Sequence, residues 1–247
     1  MKKKIIGLIP CRLESTRLPK KALLNIDGLP LIIHTLKRVQ MCKELSDIIV
    51  CTDSDIIKNL VKKHNGKSLL TKKNHKTGTD RIAEISKQIS YDIAIDIQGD
   101  FPFVDPKNIS KLIRFHLKNK FDIVVPFSPI NRKDAISKDV VKLVHNKKNK
   151  VIFFSRSIIP NPFKNNKKNY CKHMSIISFK KKILDNFSKL KIGDYEKSES
   201  IELLRGIENN LSIGTFEIKK DIFSVDIKKD YLKSKRLMPF DPLRKKY

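Results

Sequence analysis

The chain has 247 residues, 40% of them hydrophobic, which is enough for one large domain, or a domain with an appended lobe, around a sizeable core. Lys and Arg number 53 against 26 Asp and Glu, and the resulting net charge of +27 would suit nucleic acid, anionic lipid or phosphorylated substrates. However, the lysines are spread through nearly every segment and no nucleic-acid-binding motif accompanies them, so compositional bias is the favoured explanation and a nucleic-acid-binding protein the weaker one.

The four cysteines are widely spaced without a CxxC pair, which indicates free thiols rather than a zinc site or a disulfide framework. The sequence contains no apolar stretch of about 18 residues, the minimum for a membrane-spanning helix. We therefore expect a cytoplasmic protein without membrane insertion.

Apolar runs alternate with helical patterns in the first half of the chain. The strand candidates are IIGLI (5–9), DIIVCT (47–52), YDIAIDI (91–97) and FDIVVPF (121–127), and the helix candidates are 29–45, 55–64, 79–89 and 106–119. This alternation predicts an α/β fold with a doubly wound, mostly parallel sheet over residues 1–128.

The pattern changes after Pro129. We predict a hairpin (140–145 and 151–156), a strand (173–179), helices at 180–190 and 196–209, a strand (212–218) and a final helix (227–238). Residues 129–210 are therefore predicted as a smaller α+β lobe inserted in a single domain, and residues 211–247 as the return to the core.

Two polar motifs follow predicted strands, where ligands bind in open parallel sheets, and a third stands at a predicted helix start. PCRLESTRLPKK (10–21) follows the first strand, and its cations suit a polyphosphate, although solvated loop lysines would look the same. HKTGTDR (75–81) places Gly, Thr and Arg at a helix start, where Thr79 could equally be a plain N-cap. DIQGDFP (96–102) ends a strand with a carboxylate that suits magnesium, but Gly-Asp is also a common turn.

Together with VIFFSRSIIP, KHMSI, EKSESIELLR and SVD, these motifs give the chain a resemblance to the 3-deoxy-manno-octulosonate cytidylyltransferase (CMP-KDO synthetase) family along nearly its whole length. The resemblance implies a nucleotidyltransferase with a Rossmann-like fold. It implies that CTP and the sugar acid KDO react to CMP-KDO and pyrophosphate, for lipopolysaccharide biosynthesis, in a homodimer that uses Mg²⁺ and dimerises through the lobe.

The resemblance also assigns residues. The nucleotide site would comprise Arg12, Ser15, Arg17, Lys21, Thr79, Arg81 and Gln98. The magnesium ligands would be Asp100 and Asp226, which with Arg12 and Lys21 would form the catalytic set. The sugar site would comprise Gln98, Arg156, His173, Glu199 and Glu202.

Several positions depart from the family pattern. Lys20 replaces a glycine of the first loop, Phe101 replaces a glutamate, and the surroundings of Asp226 lack the family's glycines. Ile177 and Leu203 replace polar groups on the sugar side. These departures leave two alternatives open: a cytidylyltransferase for another sugar acid, such as an 8-amino KDO analogue or a nonulosonic acid, and an inactive nucleotide-binding homologue.

Overall fold

The computed structural model describes residues 3–164, 169–219 and 223–247. The chain forms two compact units, Met1–Lys111 with Ile222–Tyr247, and Leu112–Asp221. The predicted division of a single domain after residue 128 and again after residue 210 stays a prediction.

The first unit is built on a parallel sheet. Its elements in chain order are β1 (Ile5–Cys11), β2 (Asn25–Ile26), β3 (Leu29–Pro30), α1 (Leu31–Gln40), β4 (Asp47–Thr52), α2 (Asp55–Lys63), β5 (Lys67–Leu70), α3 (Gly78–Ser86), β6 (Ile93–Ile97) and the start of α4 (Pro106–Lys118). The strand order is β5-β4-β1-β6 with every pair parallel. Every residue of β1 and β6 is buried, as expected for inner strands covered on both faces.

The second unit contains the end of α4 and a mixed set of strands. Its elements are β7 (Ile123–Ile130), α5 (Arg132–Ala135), β8 (Lys142–His145), β9 (Val151–Ser155), β10 (Tyr170–His173), β11 (Ile176–Lys180), α6 (Lys181–Phe187), α7 (Asp194–Glu199), α8 (Leu203–Glu208) and β12 (Ile213–Glu217). β7 pairs parallel with β12 and antiparallel with β10 and β11, and β8 and β9 form the predicted hairpin.

The chain then returns to the first unit with α9 (Lys228–Leu237). Val225 packs in a cluster with Ile26, Leu31 and Met238, all of them buried. The N–H of Val225 also donates to the carbonyl of Asp100 at 3.0 Å. These contacts hold the segment before α9 against the loop that follows β6.

The structure confirms the predicted fold class, an α/β fold with a mostly parallel sheet, while the inserted lobe stays a prediction. Two predicted elements were wrong. The strand predicted at 173–179 is divided between β10 and β11, and the helix predicted at 196–209 is divided into α7 and α8. Ser200 lies between these two helices with a left-handed backbone (φ 52°), which ends α7. The short strands β2, β3 and β5 and the short helix α5 were not predicted.

Candidate active site

A cavity of about 220 Å³ lies in the first unit where β1 and β6 end. Its lining comprises Pro10, Cys11, Arg12, Ser15, Thr16, Arg17, Lys21, Ala22, Leu31, His75, Lys76, Thr77, Gly78, Arg81, Gln98, Gly99, Asp100 and Asp226. The structure therefore brings together at one cavity the three polar motifs of the sequence and the distant SVD motif. Of the residues predicted for the nucleotide and the metal, only Thr79 is not part of the lining.

Lys21 joins the two predicted metal ligands. Its Nζ donates to Asp100 Oδ2 at 2.6 Å and to Asp226 Oδ1 at 3.3 Å. Arg17 Nη2 reaches the same Asp226 oxygen at 2.9 Å. Two carboxylates and two cations thus converge at one end of the cavity. Asp100 is 79 residues and Asp226 is 205 residues from Lys21 in the chain.

The two carboxylates differ in their acidity. Burial raises the pKa of Asp100 above its usual value, and the negative charge of Asp226 adds to this effect, although Lys21 opposes both. For Asp226, burial acts in the same direction, but Lys21, the hydroxyl of Ser224 and Arg17 outweigh it and lower the pKa. A cation near both groups stabilises their charged forms. Asp100 needs this most, because its raised pKa shows that its surroundings disfavour the carboxylate.

The donor set fits the expected magnesium ion. Mg²⁺ prefers oxygen ligands and is commonly held by one or two carboxylates together with substrate phosphates. Asp100 and Asp226 already share one cationic partner, so their oxygens point toward a common position. In the part of the chain that the structure describes, no cluster of three or more metal-binding side chains is found, so a bound ion would need further ligands from water or a substrate.

The backbone at Lys20 explains why glycine suits this position in the family pattern. Lys20 lies in the left-handed region (φ 49°, ψ 34°) directly before a 3-10 helix, Lys21–Leu23. Glycine adopts this conformation without steric cost, whereas any residue with a Cβ is strained in it. The side chain of Lys20 is exposed and is not part of the cavity lining, whereas Lys21 follows it into the site.

The start of α3 differs in detail from the prediction. Thr77, and not Thr79, is the N-cap, because its side chain accepts a hydrogen bond from the N–H of Asp80 at 3.1 Å. Thr79 is buried within the first turn of the helix. Thr77, Gly78 and Arg81 are the residues of this helix start that line the cavity.

Arg81 is held by a carboxylate that the sequence interpretation missed. Its Nη2 donates to Asp53 Oδ2 at 2.8 Å and its Nη1 to Thr71 Oγ1, with side-chain exposures of only 4% for Arg81 and 13% for Asp53. The other oxygen of Asp53 accepts the N–H of Leu13 at 3.1 Å. Asp53 therefore connects α3 to the loop after β1. Its position at the end of β4 was the available sequence signal.

Gln98 lies at the end of β6 beside the buried Asp96. Its amide nitrogen donates to both oxygens of Asp96 at 3.0 Å, and this fixes the orientation of the side chain in the cavity. A Cβ added to Gly78 would lie 3.3 Å from Gln98 Oε1 and 3.2 Å from Pro10 Cγ. The absence of a side chain at Gly78 thus allows α3 to approach β1 and β6 closely.

The remaining residues predicted for the sugar belong to the second unit. Arg156 donates to the carbonyls of Glu199, Lys138 and Ser200 at 2.7, 3.0 and 3.3 Å, and its N–H donates to Glu199 Oε2 at 2.7 Å. Glu202 directly precedes α8. Arg156 and Glu199 are therefore brought together, and they fix the chain at the break between α7 and α8.

His173 is at the end of β10 with its ring edge against Phe154, 5.4 Å between centroids. Burial lowers the pKa of His173 to about 4, so the ring is neutral near pH 7. Its Nδ1 is buried and has no hydrogen-bond partner among the described residues. The two departures Ile177 and Leu203 are buried at 8% and 3% exposure, as core residues are.

The site combines a cationic loop, a helix start and paired carboxylates at the strand ends of a parallel sheet. These features define the class of nucleotide-binding α/β proteins. A family model described as cytidylyltransferase matches residues 6–222. The 3-deoxy-manno-octulosonate cytidylyltransferase of Fusobacterium nucleatum is 37% identical over 90% of this chain and 92% of its own length. That of Rickettsia canadensis is 36% identical over 92% and 93%, respectively.

Among solved structures, a CMP:2-keto-3-deoxy-manno-octonic acid synthetase complexed with CTP superimposes with a TM-score of 0.93. It shares 32% sequence identity with this chain, and the match covers 96% of this chain and 99% of the other. The chain belongs to the 3-deoxy-manno-octulosonate cytidylyltransferase family. None of the helices in residues 3–164, 169–219 and 223–247 is both long and apolar enough to span a membrane.

Proposed function

We propose that the protein is a CTP-dependent cytidylyltransferase that activates 3-deoxy-D-manno-octulosonate (KDO) to CMP-KDO with release of pyrophosphate, for lipopolysaccharide biosynthesis. The observation that carries the proposal is the convergence of Lys21 and Arg17 with Asp100 and Asp226 in one cavity. The solved relative that superimposes on this chain is complexed with CTP, which supports the same nucleotide here.

In this proposal the loop after β1 holds the triphosphate. Arg12, Ser15, Arg17 and Lys21 all line the cavity. Guanidinium groups bind phosphate oxygens in pairs, and an ammonium group adds a compact positive charge. A sugar hydroxyl then attacks the α-phosphate and pyrophosphate leaves, so the contribution of these side chains is alignment and neutralisation of the charge on the phosphate oxygens.

Asp100 and Asp226 are the proposed ligands of Mg²⁺. When bound, the ion would supply positive charge to the phosphate oxygens and help to orient them. Lys21 pairs with both carboxylates, so binding of a divalent cation between them would free its ammonium group for a phosphate oxygen.

The proposed sugar-acid site comprises Gln98 and four residues of the second unit. Gln98 is part of the cavity lining, and the roles of Arg156, His173, Glu199 and Glu202 rest on the family resemblance. Ile177 and Leu203 are buried, so their apolar character agrees with a packing role and gives no support to a different sugar acid. We also propose, from the resemblance, a cytoplasmic homodimer formed through the lobe at residues 129–210; light scattering that gave a monomeric mass would contradict the dimer.

The direct test is pyrophosphate release from CTP and Mg²⁺ with KDO, an 8-amino KDO analogue and a nonulosonic acid as parallel substrates. The proposal predicts release with KDO at the highest kcat/KM. Release only with another sugar acid would reassign the substrate. Absence of release with all of them, while CTP binding is measurable, would identify an inactive nucleotide-binding homologue.

A further inference from the structure

His75 and Glu84 form a pair at the edge of the cavity that none of the roles above uses. His75 lines the cavity, and its Nε2 hydrogen-bonds to Glu84 Oε2 from α3. The same carboxylate oxygen accepts the N–H of Lys72 at 3.1 Å. The side chains are 16% and 25% exposed, so the pair is partly shielded from water.

The carboxylate fixes the tautomer of the histidine. Burial alone would raise the pKa of Glu84, but the hydrogen bonds from His75 and from the Lys72 N–H outweigh it and lower the pKa. An ionised carboxylate has no proton to donate, so the proton of the hydrogen bond is on Nε2 of the ring. In neutral His75 the other nitrogen, Nδ1, therefore carries a lone pair and acts as a hydrogen-bond acceptor.

The one hydrogen bond found for the His75 ring among the described residues is that of Nε2, so Nδ1 is available to a ligand. Since the ring is part of the cavity lining, this nitrogen can accept a hydrogen bond from a ligand. The ring is thus oriented from behind by Glu84, in the way that carboxylates orient functional histidines elsewhere.

The position of His75 and Glu84 in the cavity indicates which part of the nucleotide lies next to them. The charged end of the cavity, with Lys21, Arg17, Asp100 and Asp226, suits phosphates and a cation. The end at the start of α3 is lined by His75, Lys76, Thr77 and Gly78, and its arginine, Arg81, is paired with Asp53. Among the described residues, no carboxylate pair for a metal ion lines this end, and the directional hydrogen-bonding groups of His75, Thr77 and Gly78 suit the pyrimidine ring.

We propose that His75 discriminates cytosine from uracil. Its Nδ1 accepts a hydrogen bond from the exocyclic amino group at C4 of cytosine, and Glu84 is the positioning residue that accepts from Nε2 and so leaves Nδ1 of the neutral ring as the acceptor. Uracil has a carbonyl oxygen at C4, so two acceptors would face each other and neither would be satisfied. This inference rests on the proposed function and adds to it the group that selects the base.

The experiment compares binding and turnover of CTP and UTP in four proteins: wild type, His75→Phe, Glu84→Gln and the control Glu217→Gln. Glu217 is an exposed residue on β12 in the second unit, so its substitution makes the same chemical change away from the cavity. Dissociation constants come from equilibrium titration, and kcat/KM comes from pyrophosphate release. A thermal melt of each protein checks that it is folded.

We expect His75→Phe to lower the preference for CTP over UTP, taken as the ratio of their binding affinities and of their kcat/KM values, about 10- to 100-fold. The main cause should be weaker CTP binding. Glu84→Gln should lower this preference less, because a glutamine can also donate to Nε2 and so place the proton on Nδ1. Glu217→Gln should leave the ratio unchanged. If His75→Phe does not fold, His75→Gln serves instead and should also lower the ratio.

An unchanged ratio in a folded His75 variant would overturn the proposal. Equal loss of turnover with both nucleotides, without a change in the ratio of dissociation constants, would also overturn it. Failure of the wild type to release pyrophosphate would refute the proposed function alone, because the dissociation constants for CTP and UTP still test His75.

Discussion

Replacement of Lys20 by glycine should stabilise the protein without reducing its activity. Lys20 has φ 49° and ψ 34°, and its carbonyl accepts the Leu23 N–H at 2.9 Å, which forms the 3-10 helix that presents Lys21. Glycine adopts the same backbone without a Cβ clash, so the hydrogen bond is kept. Since Lys20 is exposed and outside the cavity lining, no contact in the site is lost.

The expected magnitude is the difference of two terms. The left-handed conformation costs a residue with a Cβ about 1–2 kcal/mol. Glycine loses about 0.5–1 kcal/mol because its unfolded chain has more conformational freedom. The two ranges leave a net gain in the free energy of unfolding of about 0–1.5 kcal/mol, and its centre of about 0.75 kcal/mol corresponds to a rise in Tm of about 1.5–3 °C for a chain of this size.

Urea unfolding and thermal melts of three variants test this reasoning. Lys20→Ala removes the same charge but keeps a Cβ, so it should give no gain. Lys62→Gly, at an exposed position within α2, should destabilise by about 0.5–1 kcal/mol, because glycine is unfavourable inside a helix. If Lys20→Ala and Lys20→Gly stabilise equally, relief of charge repulsion and not of backbone strain is the cause.

Three further predictions concern charged and titratable groups. Asp100→Asn should lower pyrophosphate release at least about 100-fold with Tm retained, whereas Asp194→Asn, at a side chain 94% exposed, should have no effect on either. Arg205→Met should lower the free energy of unfolding by about 3–5 kcal/mol in urea titrations, because it leaves the buried carboxylate of Glu196 without its partner at 2.6 Å. A loss below about 1 kcal/mol, as for an exposed ion pair, would contradict this. Burial holds the pKa of His34 at about 4 in the folded state against 6.5, so stability present above pH 6.5 should be lost as the pH falls toward 4, by about 1.4 kcal/mol per pH unit. Urea titrations between pH 7 and 4 should show a smaller pH dependence in His34→Gln.

The regular elements of the first unit could be predicted because local patterns determine them. The sequence shows the continuous apolar run of β1 and the helical spacing of Ile57 and Val61 in α2. These residues are buried in the structure. The break between α7 and α8 was missed because Ser200 adopts a left-handed backbone without glycine, the usual signal. β5 has only four residues, too few for a periodic pattern.

The site could be predicted in its main charges but not in its supporting contacts. Lys21 and Asp100 stand in recognisable loops after strands, so their meeting followed from the parallel sheet. The pairings of Asp53 with Arg81 and of Glu84 with His75 depend on which side chains face each other after folding. Asp53 at least follows a predicted strand, whereas Glu84 stands within a predicted helix, where no local signal distinguishes it from other acidic residues.

Asp53 has a consequence for the thermodynamics of nucleotide binding. Its two oxygens hold the Leu13 N–H and the Arg81 guanidinium at the same time, so the loop after β1 and the start of α3 share one anchor. Ordering a loop during binding consumes part of the interaction energy. Because this anchor exists before any ligand arrives, the entropy of fixing the loop is lost when the chain folds, and more of the contact energy with the nucleotide remains as affinity.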